Sequence, residues 1–208
     1  MKARLLLILM VACALTAPLA AQKSGVLGTG HDLRTGGYTG DACIACHTPH
    51  NANPTAGTAL LWLRAVRTTG YSVYDKTVNP DFSGTVDITG GNQVSLLCLS
   101  CHDGAAALNV AWSATYNLDP AKYRSDTVSA GANLGTDLKN DHPIGFLYSD
   151  TTSAPGKSAD YNATPLGSVK LQAGRVECAS CHQVHNNTYE PFLRQANTNS
   201  ALCLACHK

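Results

Sequence analysis

Apolar positions in this 208-residue chain come in short bursts separated by polar, glycine-rich stretches. The longest burst is the first. Residues 5–15 are apolar behind Lys2 and Arg4, and small residues precede Gln22, so residues 1–21 read as a secretory signal peptide. The run is too short to span a bilayer. Cys13 offers a weaker, lipoprotein-like exit; residues 17–21 offer the better one. Residues 22–40 then form an arm with Gly25, Gly28, Gly30, Gly36, Gly37 and Gly40, without periodicity and predicted to be mobile on its own. Asp41 is placed to cap a short helix. Leu60, Leu61, Leu63 and Val66 predict a helix over 55–67. Residues 71–92 predict turns and a short hairpin around Asn79-Pro80 and Gly90-Gly91. Residues 93–102 predict a helix stopped by Gly104. Residues 105–173 carry no legible period, over a length unusual for a loop in a compact domain.

Three of the bursts carry the same signature, and a fourth closes the chain. Cys43-x-x-Cys46-His47, Cys98-x-x-Cys101-His102, Cys178-x-x-Cys181-His182 and Cys203-x-x-Cys206-His207 are C-x-x-C-H, the attachment signature of c-type haem. The two thiols add across the haem vinyl groups, and the adjacent histidine serves as proximal iron ligand. A lone C-x-x-C suits a redox dithiol or half a zinc site. Four copies, each followed at once by His, point instead to four covalent haems.

Composition sharpens this. There are 18 Gly, 9 Pro and only 6% aromatic residues, too few large apolar side chains for a conventional core. The expected fold is mostly irregular coil with short α-helices wrapped around a stack of four haems, and little β-structure. The net charge of +1 suggests no nucleic-acid partner. Asp75, Asp81 and Asp87 do not have the spacing of an EF-hand loop. Of nine cysteines, eight belong to the motifs and Cys13 to the leader. Both methionines, Met1 and Met10, are also in the leader, so His/Met ligation is excluded after processing. Four histidines remain beside the four proximal ones: His31, His50, His142 and His185. Four spare imidazoles for four irons imply bis-histidine ligation, low potentials and no open iron position.

The chain also repeats. DACIACHTPHN (41–51) matches VECASCHQVHN (176–186), and VSLLCLSCH (94–102) matches NSALCLACH (199–207), with the inter-motif loop longer in the first copy. Two two-haem modules follow, 22–120 and 121–208. If each i+3 imidazole shares a helical face with its proximal histidine, His50 caps the Cys98/Cys101 haem and His185 the Cys203/Cys206 haem. His31 and His142 then cap the first haem of their own modules, or the assignment shifts by one module. In the shifted and favoured version His142 caps the Cys43/Cys46 haem, and His31 of the next subunit caps the Cys178/Cys181 haem.

In its glycine-rich arm with His31, both C-x-x-C-H-x-x-H motifs, LCLSCH, DHPIGF and LCLACH, the chain resembles multihaem cytochromes with doubled motifs. It is most similar to the tetrahaem outer-membrane cytochrome E type, which polymerises into extracellular haem filaments. The resemblance implies long-range extracellular electron transfer, identical subunits head to tail, one axial histidine donated between them, and redox proteins or extracellular acceptors as partners. An exported, cell-surface location goes with it. A monomeric periplasmic tetrahaem shuttle has the same cofactors and ligands. A small nitrogen-oxide reductase needs an open iron, which the histidine count opposes.

Overall fold

The computed structural model describes residues 25–56, 60–89 and 94–208. The signal peptide, with Cys13, Met1 and Met10, lies outside the described residues, as do Gln93 and the Gly90-Gly91 turn. Regular structure is sparse. Among the described residues there are three helices, α1 (Val94–His102), α2 (Tyr148–Thr152) and α3 (Cys178–Cys181), and one two-stranded sheet, β1 (Phe146–Leu147) with β2 (Arg175–Val176). The strands are antiparallel, with Phe146 opposite Val176 and Leu147 opposite Arg175. Six 3₁₀ turns, two of them inside haem motifs, account for the other helical residues.

Helix α1 forms where expected because its apolar residues bury it on most sides. Leu96, Leu97 and Leu99 are all buried, Leu99 completely. Gly104 ends it at φ +69, its amide donating to Cys101 O at 3.1 Å, a left-handed position that suits glycine. Asp41 does not take the expected N-cap position, which is Ala42; its Oδ1 accepts the Cys43 amide at 2.9 Å in an Asx turn leading into a 3₁₀ turn over Cys43–Ala45. The predicted helix over 55–67 does not form beyond Pro54–Ala56. Leu61 is left-handed (φ 53), and Leu63 N donates to Cys46 O at 2.8 Å, so this segment is extended alongside the first motif. Among the described residues of 71–92 no hairpin forms; Asp75 and Asp87 instead close Asx turns onto Thr77 and Thr89.

The apolar residues make three small clusters instead of one core. One joins Leu33, Ala45, Leu108 and Tyr123; a second, Phe82, Phe146, Tyr148 and Val176; a third, Ile88, Leu96, Leu99 and Leu138. The first fixes the N-terminal arm. Leu33 is 5% exposed, and Arg124 N donates to Leu33 O at 2.8 Å. Predicted mobile, the arm is packed down because Leu33 supplies the apolar anchor that its glycines lack. Residues past 120 stay with the first module: Thr35 N bonds Lys122 O, and Leu138 N bonds Ser72 O.

The strongest tie between modules joins α1 to α3. Glu177, 2% exposed, caps α3 and accepts the Ser95 amide at 3.3 Å as well as the Ser95 hydroxyl. Ser95 Oγ in turn accepts the Cys178 amide at 3.0 Å, and Glu177 N donates to Ser180 Oγ at 2.9 Å. Ser95 and Ser180 have no exposed surface.

Candidate haem-binding sites

The first, third and fourth motifs are each held by a second segment running antiparallel to them, and the second by hydrogen bonds from 132–134. In the first, Leu60 O accepts from His47 Nδ1 at 2.6 Å and Leu61 O from Thr48 N at 2.8 Å, while Leu63 N donates to Cys46 O. In the third, Pro191 O takes His182 Nδ1 at 3.0 Å, Phe192 O takes Gln183 N at 2.7 Å, and Arg194 N donates to Cys181 O at 2.8 Å. Leu61 and Phe192 occupy equivalent places, and both are left-handed, at φ 53 and 58. The fourth motif keeps part of the bracket: Lys208 N to Asp160 O, and Asn162 N to Cys206 O. At the second, His102 Nδ1 donates to Ala132 O at 2.7 Å and Leu134 N donates to His102 O. The sequence repeat is therefore a structural repeat, down to the carbonyl under each module's first histidine.

Those carbonyls set the chemistry of the rings. A carbonyl only accepts, so Nδ1 of His47, His102 and His182 carries the proton and Nε2 keeps its lone pair. His142 has the same arrangement, with Nδ1 on Pro143 O at 2.9 Å. His31 is driven down to about 4 by burial first, then by His102, His182 and His185, and is neutral at ordinary pH. Its Nδ1 is buried with no hydrogen-bond partner.

The histidines come in pairs. Ring centroids are 6.0 Å apart for His31 and His102, 6.2 Å for His47 and His185, and 6.4 Å for His142 and His207. Two metal–imidazole bonds of about 2 Å back to back, with the ring radii added, put axial partners about 6 Å apart. Burial and then the paired ring lower His185 and His207 too. Among the described residues no three His, Cys, Asp or Glu side chains converge on a single metal ion, as a zinc site requires.

These pairs differ from the expected ones. His185 lies against His47, not His207; His142 against His207, not His47; His31 against His102 of its own chain, not outward toward a neighbour. The i+3 argument fails because the helix stops at the motif. Cys46 already leaves helical geometry (φ −122, ψ −37), and His182 is extended (φ −108, ψ 149). His50 and His185 therefore do not share a helical face with His47 and His182. His50 and His182 are left over. Both are exposed, and neither is in ring contact with another imidazole among the described residues, although His31 senses the charge of His182.

None of the eight motif cysteines is in a disulfide. Burial pushes Cys46 up to about 11 against the pull of Arg64, and it raises Cys181 and Cys206 as well. Cys98 is raised by donating to Cys178, and Cys178 is lowered by receiving that bond. A redox dithiol needs a low-pKa attacking thiol in its own pair; every motif holds a raised thiol, and Cys178 is lowered by Cys98 of a different motif, which fits that poorly. Neighbouring thiols also mark the order of the sites. Cys46 is near Cys101, Cys98 touches Cys178, and Cys181 is near Cys206. The motifs thus adjoin in chain order.

A haem also needs apolar walls. Leu60 and Leu61 beside the first motif, Leu134 beside the second, Val184 beside the third, and Leu166 and Leu204 at the fourth are all more than a third exposed. Apolar side chains left open around each thiol–imidazole set suit a flat apolar macrocycle. Thiols, free Nε2 atoms, paired rings and apolar rims all fit the group. A family model described as "Doubled CXXCH motif" matches residues 171–208. The paired motifs indicate a multihaem c-type cytochrome in electron transfer. No curated protein matches the chain significantly. The match spans the third and fourth motifs; the first carries the same bracket as the third, and His47 and His102 the same Nδ1–carbonyl bond as His182. Among the described residues no helix is long and apolar enough to cross a membrane.

Sequence reasoning named the Cys and His residues of the motifs and missed what holds them in place. The carbonyls of Leu60, Ala132 and Pro191 have no side-chain signal. Arg64 and Glu177, both buried, did have one, since a lone charge within an apolar burst or one residue before a motif is unusual.

Proposed function

We propose that the chain carries four haems, each ligated by two histidines, and that copies join head to tail into an extracellular electron-conducting filament. Each haem supplies a reversible one-electron change between Fe(III) and Fe(II). The polypeptide would offer two imidazoles to each iron, leaving no position for a substrate, and it brings thiols of consecutive motifs close together. Electrons then pass in motif order, and the protein acts as a conduit without catalysing a bond change. Export by the N-terminal leader belongs to the same proposal.

The observation that carries it is the odd pair. Three imidazole pairs lie within one chain, while His50 and His182 are exposed and apart. His50 of one copy completing the His182 site of the next satisfies every iron. That contact is heterologous, and a heterologous contact that does not close into a ring builds a filament. It replaces the trans ligand expected from the sequence, His31, which packs on His102 of its own chain.

Negative-stain microscopy of the secreted, haem-loaded protein tests the assembly. Unbranched filaments are the expected result. Discrete particles of single-chain mass, with all irons six-coordinate, would leave a periplasmic shuttle in its place.

A further inference from the structure

Arg64 is the largest side chain that is completely enclosed, at 1% exposed. Its guanidinium donates to Ala107 O and Val110 O, each at 3.2 Å, and to Leu108 O. Nε has no partner, and among the described residues no carboxylate pairs with Arg64. The nearby buried acid, Asp103, is engaged by Arg67 at 3.5 Å and Tyr71 at 3.1 Å. A buried cation bonded only to neutral carbonyls is costly, and structures keep few of them.

Its position is fixed by the two motifs of the first module. Leu63, one residue earlier, donates to Cys46 O. Trp62, two earlier, donates through Nε1 to Ser100 Oγ inside the second motif at 3.3 Å. Leu108, which takes one guanidinium bond, packs in the cluster that holds Ala45 and Cys101. The charge therefore sits between the thiol edges of motifs one and two. In the second module Arg194 has the place of Leu63, but it is only half-buried and bonds Ala179 O and Gln183 Oε1.

We propose that Arg64 is a fixed counter-charge that raises the electron affinity of the Cys43/Cys46 and Cys98/Cys101 haems above that of the second pair. This rests on the four-haem reading above. Reduction from Fe(III) to Fe(II) removes one positive charge from the iron, and a buried cation favours the product. Water is excluded, so screening is weak and the effect is felt at both neighbouring sites. No proton is taken up; the electron comes from dithionite or an electrode. Each subunit then carries a built-in step, electrons resting in its first module.

Reductive titration of the haem-loaded full chain, followed by the visible bands, tests this with Arg64→Met, Arg64→Gln and Arg64→Lys. Intact mass is measured first; a wild type with fewer than four haems refutes the four-haem reading and not the charge assignment. With four haems bound, Arg64→Met or Arg64→Gln should move two of the four one-electron steps tenfold or more toward the oxidised form, about 59 mV each. Arg64→Lys, which keeps the charge and loses the planar fork, should leave both steps within about threefold while lowering stability. Where Arg64→Met fails to load haem, Arg64→Gln carries the comparison. No shift, a shift of all four steps together, or equal shifts in the Lys and Gln variants overturns the proposal and leaves Arg64 a structural staple.

Discussion

Replacing His50 by alanine is expected to abolish polymers and leave a soluble single chain with one high-spin haem, at Cys178/Cys181. His50 and His182 are the two imidazoles that find no ring partner within the chain, and both are exposed. A coordinate bond across the joint is strong and directional, so its loss should weaken association at least about 100-fold, about 2.8 kcal/mol. His31→Ala makes the complementary case. His31 faces His102 at 6.0 Å. Its removal should turn the Cys98/Cys101 haem high-spin and leave polymers intact. Filament yield by microscopy and spin state by resonance Raman read both variants. Filaments from His50→Ala, together with none from His31→Ala, would restore a joint made by the N-terminal arm.

Glu177→Ala should destabilise the protein by about 3 kcal/mol or more, although Glu177 is no iron ligand. The carboxylate is enclosed and receives the Ser95 amide, the Ser95 hydroxyl and the first turn of α3. Its removal strands at least two buried donors, each worth about 1–3 kcal/mol, against a total stability of about 5–15 kcal/mol. Burial holds its carboxyl above the usual range, with Ser95 pulling the other way. Glu177→Gln keeps an acceptor in place and should lose less than half as much. Urea melts of the haem-loaded protein, read at the visible bands, give both values. A Glu177→Ala variant within about 0.5 kcal/mol of wild type would show that the Ser95–Glu177–Ser180 network does not hold the modules together.

The sequence made the cofactor chemistry plain, because C-x-x-C-H dictates residue identity at fixed spacing. It also placed helix α1, whose leucines and Gly104 stop act locally. What it hid was long-range. Leu60, Leu61, Leu63 and Val66 have helical spacing, yet the backbone carbonyls they carry are needed to orient His47, and the segment is extended. The arm around His31 looked free because its six glycines hide one anchor, Leu33. The i+3 histidines pack against other rings than a shared helical face would give, for a geometric reason. Chains that leave a helix at the proximal histidine do not keep an i+3 face, so His185 turned up beside His47, 138 residues away in sequence. Distal ligands on loops are chosen by packing, and no local period records it.

Carbon monoxide binding to the fully reduced, polymer-competent protein is the most direct test of the central claim that every iron is held between two histidines. The account predicts low-spin ferric and ferrous spectra throughout and almost no carbon monoxide complex near neutral pH. One stoichiometric carbon monoxide adduct per chain in intact filaments would contradict it and identify an open iron where chemistry on a small molecule takes place.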